Sequence, residues 1–557
     1  MTGNDFRRFA ADRRGNVALM FTFAIIPLLI LIGAAVDFGQ ATRVRAQLQN
    51  ATDVAALSVA RDGLSQPDSA LEAIARRYLD ANYTLPEKDY GYSLDHLKFD
   101  RPTVTAEVDT TVLVPTTFLR LMGMTTIPVH AHSITKGLGV EVALVLDTSG
   151  SMTESAGAGG SKITALKDAT KALLKVFYGD ATVSQRFSIG IIPFAASVNV
   201  GSGYKTASWM DTANVPANGD HTEDFTAPNA QQANRFSLFK GGNQGLANVS
   251  WKGCVMARPA PYDINDAAPS GGSTLFVPWF APDEPDAADG EWDESTDTGE
   301  NVGWVNSKWT DYRDGSFFFN DYLDDEGGVC PTDDQKKVVP NSTKQGRTCK
   351  YKGAWADTSA TYLSNKGPNF LCDSQPITPL TSTRSTLENA VTALNAQGTT
   401  NITEGFMWGW RTLSNNEPFT QGKAYNAPNN KKIIILMTDG VNNFGGRAQP
   451  KTTNLSEFFA YGYALRGNSG APKTSNNSTL TDFLDDKTEA ACAAAKAKGI
   501  IIYTIAFGSG ANQSHDLLMT CASEPVAPYF NAPQSSADLK PVFVKIAESI
   551  NALRIAQ

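Results

Sequence analysis

The run VEVALVLD, Val140–Asp147, continues directly into TSGS, Thr148–Ser151. Six of the seven residues before Asp147 are apolar, interrupted only by Glu141, rather than at every second position, as in a strand covered on both faces. The run ends on a carboxylate, and the next residues are hydroxylic or glycine, so the chain leaves the strand in a polar loop. KITALKDATKALLKVFY (Lys162–Tyr178) follows with helical periodicity, and RFSIGIIPFA (Arg186–Ala195) reads as a second strand. Two further apolar runs, KKIIILMTDG (Lys431–Gly440) and GIIIYTIAFG (Gly499–Gly508), have the same character. An Ala-rich helix near Lys487–Lys498 precedes the latter, and LKPVFVKIAESINAL (Leu539–Leu553) reads as the last helix. Strands alternating with helices predict an α/β fold, a doubly wound and mainly parallel sheet of Rossmann-like type.

Outward from this frame the order lapses twice. Residues 198–381 are rich in Gly, Asn, Asp and Trp and hold four of the six cysteines; residues 441–480 are rich in Asn, Ser and Gly. Both are expected to be insertions in one domain spanning 138–557, the first large and irregular. Residues 38–137 read as a helical stalk with a small β region. Gln40–Gly63 keeps helical periodicity, a short helix is expected near Ser69–Tyr83, and 98–135 alternate like strands.

The N-terminus sets the compartment. Val17–Val36 is an uncharged apolar run, long enough at about 1.5 Å per residue to cross a hydrocarbon core of about 30 Å. Arg7, Arg8, Arg13 and Arg14 precede it, and Asp37 follows. This bias predicts a single-pass membrane protein with its N-terminus in the cytoplasm. Its tail, 1–16, is cytoplasmic, its transmembrane helix is 17–37, and its bulk is periplasmic or extracellular. A cleaved signal would have a shorter apolar region and an A-x-A site. A formal charge of -9, from 48 Lys and Arg against 57 Asp and Glu, argues against nucleic-acid binding. None of the six cysteines lies in a C-x-x-C pair, so an exported chain should oxidise them to disulfides.

The chemistry gathers where strands end. Asp147, Ser149 and Ser151 follow the first strand, GTTNITEG supplies Thr400, and TDG supplies Asp439 at another strand end. In open α/β sheets ligands bind beyond the carboxyl ends of strands. Two carboxylates and three hydroxyls form an all-oxygen donor set suited to Mg²⁺, with Mn²⁺ or Ca²⁺ as alternatives. Lacking His and Cys, the set does not suit zinc. The bland reading is that these residues only cap helices and turns.

DTSGS resembles the D-x-S-x-S motif of the von Willebrand factor type A (vWA) family, and GTTN and TDG resemble its Thr and Asp loops. The resemblance implies a metal-ion-dependent adhesion site. Ser149 and Ser151 would bind the metal directly, with Thr400, Asp147 and Asp439 binding directly or through water. The stretch from Gly15 to Ala60 resembles the TadE/TadG-like anchor of Tad/Flp pilus-assembly proteins. WKGCVMARP, LFVPWFAPDEPD, ITPLTSTRSTL and FMWGWRTLS resemble TadG-like members of that family. One departure is Met20, which stands fifth after Gly15 where processed Tad pilins carry Glu; prepilin-peptidase cleavage is therefore not expected.

The resemblance implies a non-enzymatic protein anchored in the bacterial inner membrane. It would act in Tad/Flp pilus assembly or anchoring by Mg²⁺-dependent binding of a protein partner, such as a pilus component. An Asp or Glu of the partner would complete the metal's shell, or Asp283 or a neighbour in the acidic run 283–297 would do so in cis. The alternatives are an adhesin or envelope-integrity factor unrelated to pili and, more remotely, a Mg²⁺-dependent hydrolase, for which no general base stands out. Cys492 and Cys521, on helices either side of one strand, are expected to pair. Three pairings are open to Cys254, Cys330, Cys349 and Cys372, of which Cys254–Cys372 with Cys330–Cys349 is preferred. His130 and His132 read as surface residues of a strand, and at least one of Trp408 and Trp410 as core.

Overall fold

The computed structural model describes residues 14–63, 66–84, 90–100, 105–135, 138–157, 160–184, 186–212, 235–243, 245–284, 320, 322–323, 328–330, 345–356, 358, 366–443, 458–463, 470–472, 474 and 476–552. It divides into two compact units, one up to Leu138 and one from Gly139 to Leu553.

In the first unit a single helix, α1 (Arg14–Asp62), runs unbroken through Pro27. Its early apolar side chains, among them Phe23, Leu28, Leu31 and Val36, are exposed. Among the described residues it is the one helix long and apolar enough to cross a membrane. Beyond Asp37 the pattern becomes amphipathic: Ala41, Val44, Leu48, Ala51, Ala55 and Val59 are buried at helical spacing. They pack on α2 (Leu71–Asn82) and on a three-stranded antiparallel sheet of β1 (Tyr92–Asp100), β2 (Thr105–Pro115) and β3 (Thr126–Thr135). The first of these strands begins at Tyr92, six residues before the expected start at Lys98; the polar YSLDHLKFD hides its alternation. Its inward residues Leu94, Leu97 and Phe99 pack against the helices.

The second unit is built on β4 (Gly139–Asp147), which lies between β5 (Phe187–Phe194) and β9 (Asn430–Thr438), parallel to both. Parallel β12 (Ile501–Ala506) and the short β13 (Phe530–Asn531) extend the sheet beyond β9. At the other side β6 (Val198–Asn199), β7 (Cys254–Val255) and β8 (Thr378–Thr381) add antiparallel pairs, making the eight-stranded sheet mixed. Val140, Val142, Leu144 and Leu146 face a core shared with α3 (Lys162–Tyr178), α4 (Arg384–Ala393) and α8 (Ser536–Ala552). Ala143 and Val145 face the opposite core, with α5 (Ile402–Leu413), α6 (Asn477–Ala497) and α7 (His515–Cys521). The continuous apolar run at 140–147 thus follows from helices on both sides. Trp408 and Trp410 are both buried.

The segment 198–381 is short on regular structure, but its described part is not a peripheral loop. Trp209, Phe276, Phe280 and Tyr351 join the core around α5. Buried Arg258 holds the turns together, donating to the carbonyls of Tyr262, Asn265, Ala267 and Thr274 at 2.8–3.2 Å. Disulfides join Cys254–Cys372, Cys330–Cys349 and Cys492–Cys521. The hairpin β10 (Phe458–Phe459) and β11 (Gly462–Tyr463) lies in the segment 441–480 and packs beside Trp279.

Candidate metal centre

Register creates the site. Leu146 pairs with Met437 across β4 and β9, so the next residues, Asp147 and Thr438–Asp439, leave the sheet side by side. Thr438 donates to Asp147 Oδ2 at 2.6 Å, and the Ser149 amide donates to Asp147 Oδ1 at 2.7 Å. The Ser149 and Ser151 hydroxyls lie 3.1 Å apart, and Ser151 donates to Asp439 Oδ1 at 2.6 Å. Four of the five sequence-predicted residues are therefore linked by hydrogen bonds. Thr400 comes from the loop before α5. That loop is tied to the first by the Gly150 amide on the Gly398 carbonyl and the Gln397 amide on the Thr148 carbonyl, both 2.8 Å. The Asn443 amide on the Thr400 carbonyl ties it to the third loop, also at 2.8 Å. A Cβ built on Gly440 would lie 3.8 Å from Thr400 Oγ1, which places that hydroxyl beside the Asp439 loop.

Asn401 caps α5, its side chain accepting from the Glu404 amide, while Asn442 accepts from the Ile402 amide. These bonds fix the helix start, and Thr400 with it.

The electrostatics are unbalanced in a telling way. Asp147, Ser149 and Asp439 are almost wholly buried. Burial first, and then the charge of Asp439, push the Asp147 carboxyl up to about 7. Lys162, at the start of α3, supplies a counter-charge, 2.7 Å from both Asp439 Oδ2 and the exposed Glu154. Burial opposes its charge, but the bonds to Asp439 and Glu154 outweigh this and hold the ammonium above its ordinary pKa. The one ammonium bonds two carboxylates, and Asp147 adds a third acid beside Asp439. The donor set and its residual negative charge fit a hard divalent cation.

Sequence reading missed Lys162 and Thr438. Lys162 shares a helix face with buried Ala165, Leu166, Ala169 and Leu173, and a lysine on an apolar face is a usable signal. Thr438 is visible only through strand register. Asp283 does not reach this centre: it is buried, paired with Lys350 at 2.8 Å, and accepts from the Tyr322 and Leu323 amides. A carboxylate so engaged is not free to complete a metal's shell, and the remainder of the acidic run, 285–297, lies outside the described residues. His130 and His132 are exposed on β3, bonded to Thr111 and Asp109.

Residues 15–62 match the family model described as Flp pilus-assembly TadE/G-like. No curated protein matches the chain in sequence. Among solved structures, the chain is similar to the vWF domain of the type V pili tip protein Mfa5 from Porphyromonas gingivalis. The identity is 11% and the TM-score 0.32, over 75% of this chain and 97% of that one. The PilB minor pilin from Streptococcus sanguinis aligns at 11% identity and a TM-score of 0.30, over 85% and 80% respectively. The pilus adhesin RrgA from Streptococcus pneumoniae aligns at 9% and 0.30, over 84% and 49%. The N-terminal segment thus carries a TadE/G-like pilus-assembly domain, and these neighbours are pilus proteins.

Proposed function

We propose that the chain is a membrane-anchored component of Tad/Flp pilus assembly or anchoring, and that its second unit is a doubly wound vWA domain with a metal-ion-dependent adhesion site. The observation that carries this reading is the convergence of Asp147, Ser149, Ser151 and Asp439 from two adjacent parallel strand ends, beside the Thr400 loop.

In this reading Asp147, Ser149, Ser151, Thr400 and Asp439 hold Mg²⁺. When bound, the cation supplies a Lewis-acidic position for an external carboxylate. The protein's own groups do the rest. Thr438 and the Ser149 amide orient Asp147. Lys162 holds Asp439 and partly neutralises it, so the remaining charge attracts a divalent ion without collapsing the loops. The role is binding rather than catalysis. The TadE/G-like segment supports the pilus context, and the arginines before the apolar run support a cytoplasmic N-terminus with the second unit outside.

Pull-downs from envelope extract with the full chain, in Mg²⁺ and in EDTA, test the adhesion mechanism. A partner recovered only in Mg²⁺, and lost with Ser151→Ala, is expected. Identical partners under both conditions contradict it.

A further inference from the structure

The connection between β2 and β3 is unusually apolar for a hairpin tip. It reads TTFLRLMGMT, Thr116–Thr125, with a short helical turn at Leu119–Met122. Leu121 is 84% exposed, Met122 61%, Met124 50% and Phe118 42%, whereas Leu119 is buried. Singly exposed apolar residues are ordinary; four within seven residues of one tip form a patch that water covers poorly.

Two contacts fix where this tip lies. Asp37, the first charged residue after the apolar run, accepts hydrogen bonds from the Thr117, Phe118 and Leu119 amides at 2.9, 2.9 and 2.7 Å. Phe118 also packs on Gly33, where a Cβ would lie 2.4 Å from Phe118 Cβ. Gly33 lies inside the apolar run, about 6 Å along the helix axis from Asp37 at about 1.5 Å per residue. The tip is therefore clamped to α1 at the outer end of its span, and Phe118 lies within it. Elements resting in a bilayer interface sink about 5–10 Å below the headgroups, which matches this offset. Exposed Arg120 sits among the apolar residues, where its stem can lie along acyl chains and its guanidinium can reach phosphate.

We propose that the Phe118–Met124 tip inserts into the outer face of the bilayer that α1 crosses, giving the first unit a second membrane contact beside its helix. The occupant of the patch is bilayer lipid, and Arg120 favours anionic headgroups. The proposal rests on reading α1 as a membrane anchor. Such a wedge fixes the tilt and rotation of the small sheet against the membrane, which one helix alone leaves free.

Spin labels measure this in the full chain, reconstituted in vesicles of phosphatidylglycerol and phosphatidylcholine. The native cysteines are all bridged, so a new cysteine takes the label selectively. Labels are placed at Leu121→Cys and Met124→Cys in the tip, Leu29→Cys in the helix and Lys98→Cys on the sheet. Collision with oxygen is compared with collision with a water-soluble nickel chelate. The tip labels are expected to favour oxygen, as the Leu29 label does, while the Lys98 label favours nickel. Tip labels as nickel-accessible as Lys98, with Leu29 still in lipid, overturn the insertion and leave the anchor standing. A nickel-accessible Leu29 label overturns the anchor reading and the insertion with it.

Discussion

Asp147 carries the clearest consequence of an acid buried next to another acid. With its carboxyl pushed up to about 7 by burial and by Asp439, the folded state keeps a proton that the unfolded chain releases at lower pH. The folded state then binds more protons between the ordinary carboxylate range and about pH 7, so raising the pH through that window removes stability, by up to about 1.4 kcal/mol per unit. Asp147→Asn lacks this penalty. In EDTA, thermal melts should show the wild type losing ground to Asp147→Asn as pH rises from about 4 to 7. Mg²⁺ should restore the wild type alone. A difference that does not change with pH refutes the electrostatic picture. Lys162 makes a second prediction at this scale. Its ammonium repels a cation at the same carboxylates, so Lys162→Met should tighten Mg²⁺ about tenfold, the effect of about 1.4 kcal/mol, and lower stability in EDTA. Calorimetric titration reads the first and melting the second. The polar cluster Asp147, Ser149 and Ser151 was legible because it is local, three residues within five; Lys162 and Thr438 were not, because helix packing and strand register bring them in.

At the scale of elements, α5 is held against the sheet by two glycines. A Cβ on Gly405 would lie 2.5 Å from Phe194 Cγ, and one on Gly409 2.4 Å from Val145 Cγ2. Since α5 starts directly after Thr400 and its cap Asn401, lifting it off the sheet also moves Thr400. Gly409→Ala should cost about 1–3 kcal/mol by overpacking, measured by denaturant unfolding, and should weaken Mg²⁺ binding although the residue touches no donor. Unchanged stability would mean that the helix can shift freely. Cys492 in α6 and Cys521 in α7 flank β12 and close a loop 29 residues apart in sequence. Replacing both by Ala should cost about 3–4 kcal/mol on the loop-entropy model, read in the same assay. The long strands were legible because β4, β9 and β12 each carry a mainly apolar run, such as Val142–Leu146 and Ile433–Met437. The segment 198–381 was not, because its cores rest on scattered aromatics such as Trp209 and Phe276 and on Arg258 bonded to carbonyls, which leave no periodicity.

For the whole molecule, the flanking arginines and α1 predict that protease added outside spheroplasts digests the second unit and spares only the anchor region. Full protection would reverse the orientation. The boundary between the two units at Leu138–Gly139 falls where the half-exposed strand β3 gives way to the buried strand β4. The pilus context entered by resemblance, carried by residues 15–62, since no arrangement of strands specifies a partner. Whether the second unit works through a metal is decided by calorimetric titration of the detergent-solubilised full chain with Mg²⁺. Binding at one site per chain is predicted, abolished in Asp147→Ala and in Ser151→Ala while circular dichroism stays unchanged. Equal heats from wild type and both variants, or none from any, would contradict the metal-dependent site.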